Sequence, residues 1–185
     1  MEVVVVEPLD SEVVPLDLVK QHLDVEHGDH DDRIQAAIDA AVSWLDGPKG
    51  WIGLALGPQT LRLDRTGFGP AEGFELPCGP VTDVTEISWR DSDGTVTLFD
   101  AGLYELVEGT NRVRLTAGSS WPASGVAVSV TYDAGYATGA DLPAPIRSAI
   151  LLQAEILYDR PDEKRQAALE ASRDNLLSPV RIRRV

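Results

Sequence analysis

Basic residues are scarce in this chain. Sixteen lysines and arginines stand against thirty aspartates and glutamates in 185 residues, for a formal charge of −14. That balance argues against a surface that grips nucleic acid by neutralising phosphates. It is compatible with a surface that DNA passes without sticking, because like charge repels. Cysteine is nearly absent: Cys78 stands alone, which excludes an internal disulfide and any multi-cysteine metal site and fits a reducing compartment. No apolar run approaches the roughly 18 residues of a membrane span. The run Val3–Val6 is too short for a signal sequence and is flanked by acids where a basic segment would be needed. A Ser-His-Asp signature, a Gly-x-Ser-x-Gly elbow, a phosphate loop and a dinucleotide fingerprint are all missing, as are internal repeats and low-complexity tracts.

What is present reads as one globular domain, or one domain with a large insertion. Hydrophobic content of 43% and charged content of 25% are ordinary for a buried core with a solvated surface. The acid is concentrated at the start. Residues 1–46 carry twelve acids against Lys20 and Arg33, a balance of −10. Pro15–Leu23 reads as a short helix with proline near its start and Leu16, Val19 and Leu23 on one face. Asp29–Leu45 is the clearest helix, since Ile34, Ala37, Ile38, Ala41, Val42 and Leu45 recur at helical spacing. Asp29, Asp31 and Asp32 fall at its entrance, where caps and the helix dipole favour anions. Gly47-Pro48 ends it.

From Gln59 to Asp133 the period becomes two. Leu61 and Leu63 alternate with polar residues, and Thr85, Ile87 and Trp89 make one strand face. Asp91-Ser-Asp-Gly94 is a turn, and Tyr104–Val107 with Arg112–Leu115 flank a second hairpin turn at Glu108–Asn111. Val126, Val128, Val130 and Tyr132 alternate most cleanly. The pattern predicts about six or seven short antiparallel strands. Pro143-Ala-Pro145 then opens an apolar helix through Ile146, Ala149, Ile150, Leu152, Ala154, Ile156 and Leu157, central to the core and broken at Arg160-Pro161. Asp162–Asn175 reads as a last, polar helix with Ala168, Leu169, Ser172 and Leu176 inward.

The expected class is α+β: a small helical bundle with an inserted antiparallel β-sheet module and an extended C-terminal arm. The expected boundaries are 1–58 for the N-terminal helices, 59–138 for the β-module, 139–177 for the C-terminal helices and 178–185 for the arm. The last ten residues hold three arginines and no acid, which leaves −17 on the rest. Pro179 blocks further helix. Beyond it, Val180, Ile182 and Val185 can dock on an apolar surface while Arg181, Arg183 and Arg184 pair with carboxylates.

Candidate chemistry is thin. His22, His27 and His30 with the neighbouring aspartates form the best metal-like cluster, but the spacing fits no zinc signature and helix capping by the aspartates is the expected role. A metal-dependent enzyme using these three histidines is the enzymatic alternative. Asp91, Asp93 and Gly94 lack the remaining ligands of a calcium loop and read as a hairpin turn. Cys78, in Pro77-Cys-Gly-Pro80, has no base nearby in sequence and reads as an inert loop thiol. Trp44, Trp51, Trp89 and Trp121 are dispersed in sequence, and Trp51, Trp89 and Trp121 are expected to seal core edges. No catalytic or metal-binding residue and no cofactor is expected.

A series of short segments in fixed order carries a resemblance over nearly the whole chain. They are Trp44-Leu45, Gly50-Trp51-Ile-Gly-Leu-Ala-Leu56 with Gln59-Thr60, Leu76-Pro77, Pro80–Val84 leading to Ile87 and Asp93-Gly94, Val130–Tyr136, Leu142-Pro143, Ile146–Leu152 through Tyr158-Asp-Arg160, and Leu176-Leu177 with Pro179 and Arg181. Together they resemble the head-tail connector (adaptor) proteins of long-tailed phages and gene transfer agents. Trp51-Ile52, where relatives often carry smaller or polar residues, and Val180, where an aromatic is common, depart from the pattern. The resemblance implies a structural virion protein and no enzyme. It implies a ring, dodecameric to match the portal protein, that extends the DNA channel towards a head-closure or tail component below. DNA would pass without specific binding, no membrane would be involved, and the particle neck would be assembled in the host cytoplasm. The segment Pro179, Val180, Arg181, Ile182, Arg183, Arg184 and Val185 would dock on the portal. Another ring-forming head-completion or tail-terminator protein is the nearest alternative.

Overall fold

In the computed structural model, which describes residues 1–70, 72–123 and 125–181, the period-two region folds as strands and its flanks fold mainly as helices. The strands are β1 (Glu2–Glu7), β2 (Gln59–Thr66), β3 (Phe74–Glu75), β4 (Val81–Arg90), β5 (Val96–Leu98), β6 (Tyr104–Leu106), β7 (Arg112–Leu115) and β8 (Ala127–Ala134). The α-helices are α1 (Leu16–His22), α2 (Asp31–Leu45), α3 (Ala144–Asp159) and α4 (Glu163–Leu177). The chain is therefore α+β, and it divides into two compact units. One joins Met1–Asp10 to Pro58–Gly135, and the other joins Ser11–Gly57 to the residues from Tyr136 onward.

The sheet unit contains a five-stranded antiparallel sheet in the order β1-β2-β8-β4-β5 and a three-stranded sheet in the order β3-β7-β6. Its first strand corrects the sequence reading. Residues 2–7, placed there with the N-terminal helices, pair with β2 in the register Val3↔Leu63 and Val5↔Leu61. Four successive β-branched valines favour a strand even without alternation. A second correction concerns β4. The face predicted from Thr85, Ile87 and Trp89 is broken, because bulges between Val81 and Asp83 and between Val84 and Glu86 each insert a residue. The buried positions become Val81, Val84 and Ile87, while Thr85 is exposed and its hydroxyl donates to the Thr131 carbonyl at 3.0 Å. β8 keeps strict alternation, burying Val128, Val130, Tyr132 and Ala134. Phe68, Phe74, Phe99 and Trp121 form a ring cluster, with Phe68 stacked on Trp121 at 4.9 Å between centroids.

In the helical unit, α2 buries Ile34, Ala37, Ile38, Ala41 and Leu45 along one stripe, and α3 buries Ile146, Ala149, Ile150, Ala154, Ile156 and Tyr158. A left-handed Arg160 (φ 49°) ends α3, and the Asp162 carboxylate caps α4 by accepting the Arg165 N–H at 2.9 Å. The inward face of α4 differs from expectation. Ala168 and Ser172 are exposed, whereas Leu169 and Arg173 are half-buried and Leu177 is fully buried. So few apolar residues line this helix that an arginine, with its long aliphatic stem, completes the stripe.

Candidate functional site

The loop after α2 sets the geometry of the best candidate. It doubles back on the helix end: the Trp51 N–H donates to the Trp44 carbonyl at 2.9 Å, and the Gly47 N–H to the Leu54 carbonyl at 2.8 Å. Gly50 permits this close approach, since a Cβ there would overlap the carbonyl oxygens of Leu45 and Asp46. The indoles of Trp44 and Trp51 are thereby brought within 5.5 Å of each other, correcting the expectation that the tryptophans are dispersed.

Two arginines from the chain's C-terminal part extend this pair. The Arg173 guanidinium lies 4.3 Å from the Trp44 ring centroid, and Arg181 lies 4.2 Å from that of Trp51. Arg173 is held in place by Asp174 at 2.8 Å and by the Gln153 side-chain carbonyl. The result is a cation–indole–indole–cation row, each pairing favoured by the negative face of the indole.

The start of the arm stays on the domain. Ser178 N–H donates to the Asp174 carbonyl at 2.9 Å, and the N–H groups of Val180 and Arg181 donate to the Leu177 carbonyl at 3.1 and 3.0 Å. The α-helix does end ahead of Pro179, yet the chain stays bonded to the helix end through it. Proline forfeits only its own N–H, so a helix-like turn runs through Pro179 as far as Arg181. Val180 is half-buried and Arg181 exposed. Ile182, Arg183, Arg184 and Val185, the rest of the predicted docking segment, lie outside the described residues.

The three histidines do not converge. His22 Nε2 meets Glu155 at 2.9 Å, His30 Nδ1 meets the Tyr158 hydroxyl at 2.5 Å, and His27 stands 3.7 Å from Asp29. Among the described residues no group of three or more histidine, cysteine, aspartate or glutamate side chains could hold a metal ion. The aspartate cap expected at α2 is also not formed. His30 occupies the cap position without a side-chain bond, and Asp31 pairs with Lys20 at 2.6 Å. At the β4–β5 turn, the Asp91 carboxylate accepts the N–H groups of Asp93 and Thr95, both at 2.9 Å, so its oxygen is spent on the turn. Cys78 is buried.

Four ionisable groups of the sheet unit, Asp64, Arg65, Tyr104 and Tyr132, are displaced by their surroundings. Burial pushes the Tyr132 phenol well above its ordinary value, and its hydroxyl donates to the Pro77 carbonyl at 2.8 Å. Burial pushes Asp64 the other way from its net shift. Hydrogen bonds from Ser129 and Arg62, with the Arg62 charge, outweigh it and hold the carboxyl below the ordinary aspartate value.

Fold and site together describe an α+β chain whose most distinctive side-chain feature is the row of paired indoles and guanidiniums in its helical unit. No protein-family model and no curated protein sequence matches the chain. Solved structures do. Over its entire length it matches a chain in the neck of an empty gene transfer agent particle computed with C6 symmetry, covering 97% of that chain at 23% identity and a TM-score of 0.76. It likewise matches a chain in the virion of a native gene transfer agent particle, at 26% identity and a TM-score of 0.75. A third match, at 25% identity and a TM-score of 0.70, is to the neck of the native particle computed with C12 symmetry. The likeness accords with the head-tail connector family that the sequence resembles.

Proposed function

We propose that this chain is a structural neck protein of a virion, a head-tail connector that assembles as a ring beneath the portal protein. The observation that carries this reading is the end-to-end match to neck chains, 100% of this chain against 97% of theirs, in particles treated with C6 and C12 symmetry. In a ring each subunit must present two different, mutually complementary surfaces, since a rotational array is heterologous. The charge of −14 suits a channel wall that repels the phosphate backbone and lets DNA pass to the tail component below.

In this reading the basic arm, Pro179–Val185, docks on the portal, with arginines on carboxylates and the aliphatic residues in apolar slots. Weak arms linked in one ring multiply their avidity. Docking that recruits Arg181 exchanges the Trp51 indole for a portal carboxylate. Deleting Ser178–Val185 tests the assignment: portal binding by the truncated chain is lost in a pull-down, and undiminished binding refutes the role of the arm.

A further inference from the structure

Among the described residues, the five-stranded sheet ends in two strands that each have one open edge, β1 and β5. On β5 the orientation of the free groups follows from the hydrogen bonds. Phe99 N–H donates to the Ile87 carbonyl and Asp91 N–H to the Thr95 carbonyl, at 2.8 and 3.1 Å. In an antiparallel pair, hydrogen-bonded positions alternate. Residues 95, 97 and 99 thus turn their backbone groups towards β4, and Val96 and Leu98 turn theirs to the open edge. The same two residues expose their side chains, at 58% and 67%, more than any other large hydrophobic except Met1 among the described residues. Arg90 stands opposite Val96 in register and shares its face.

The other end of the sheet is complementary in kind. β1 is Glu2-Val-Val-Val-Val-Glu7, with Val5 and Val6 exposed. It carries no proline or lysine of the sort that natural edge strands use to prevent pairing, and its one irregularity, a bulge between Val5 and Glu7, leaves Glu2–Val5 in regular register. Glutamates bracket its valines, as Arg90 flanks the exposed aliphatics of β5.

We infer that the open edge of β5 receives the β1 strand of a second copy of this chain, joining sheet to sheet from one subunit to the next. This rests on the ring reading above and names its contact. Main-chain hydrogen bonds to Val96 and Leu98 supply the strand addition. Valines of β1 cover Val96 and Leu98, and Glu2 or Glu7 meets Arg90. Because the two edges lie at opposite ends of one sheet, the contact is head-to-tail and can propagate around a ring.

Two variants of the full chain test this by sedimentation velocity and native mass spectrometry over a concentration series. Leu98→Pro removes an N–H that the β4 ladder does not use, so the subunit folds while the edge loses a donor. Arg90→Glu reverses the charge. Each weakens self-association by about tenfold or more, and Glu2→Arg with Glu7→Arg restores assembly to Arg90→Glu. If the wild-type chain forms rings and both variants form them equally well, the contact is wrong and the ring reading stands. If the wild-type chain forms no oligomer, alone or with portal protein, the ring reading falls and the contact with it.

Discussion

Arg181, the first basic residue of the C-terminal arm, lies over the indole of Trp51, 4.2 Å from its centroid. The first charge of the arm is thus engaged within the helical unit before any partner arrives. An exposed contact of this type is worth about 0.5–1 kcal/mol. Trp51→Ala therefore leaves more of the arm available for the proposed docking and raises portal affinity by about two- to fivefold. Surface plasmon resonance against immobilised portal protein measures the change; a fall in affinity would show that Trp51 itself contacts the partner.

Leu177 and the arm beyond it separate stability from docking. Leu177 is fully buried at the end of α4, and Leu177→Ala costs about 2–5 kcal/mol through lost burial and the cavity left behind. Removing Ser178–Val185 spares that contact and costs about 1 kcal/mol or less, chiefly the Arg181–Trp51 pair. Urea unfolding of both variants checks the contrast, and equal destabilisation would contradict it.

Gly50 is required by the turn that brings Trp51 back onto Trp44. A methyl group there meets the carbonyls of Leu45 and Asp46, so Gly50→Ala costs about 1–3 kcal/mol. It also separates the two indoles. Thermal unfolding and near-ultraviolet circular dichroism report the two effects, and an unaltered aromatic spectrum would oppose this account of the loop.

Asp64 gives the sheet unit an acid-sensitive contact. Although burial opposes its charge, Ser129 at 2.7 Å and Arg62 at 3.1 Å hold its carboxyl below the ordinary value. A depressed folded value means the stabilisation is present above the ordinary aspartate range and is lost as pH falls through the folded value. Ser129→Ala raises the titration midpoint of Asp64 and moves the onset of acid loss to higher pH. Carbon-13 NMR titration of the carboxyl follows this directly, and an unchanged midpoint would remove Ser129 from the explanation.

Local periodicity was readable wherever one face of an element is buried. The spacing of Ile34, Ala37, Ile38, Ala41 and Leu45 in α2 and the alternation Val128, Val130, Tyr132 in β8 correspond to buried stripes in the structure. The α+β class follows from those two periods and their order. The four valines of β1 favour a strand by composition, but without alternation they show no face and so no place in the sheet, and the Thr85 bulge left no mark in composition. In α4 the stripe of Leu169, Arg173 and Leu177 was hidden because its middle member is charged. The basic character of the arm is plain in the sequence. Its seat on Trp51 is not, since that contact joins residues 130 positions apart and depends on a turn at Gly50. The contact of Arg173 with Trp44, the other half of the row, is equally hidden because it joins α4 to α2 across the intervening sheet segment of the sequence.

The central claim is that this chain forms a neck ring beneath a portal. Cryo-electron microscopy of the purified chain mixed with the portal protein of the same particle tests it most directly. The account predicts a closed ring of twelve copies seated on the portal, coaxial with its channel. Portal particles that remain bare beside dispersed single subunits would contradict it.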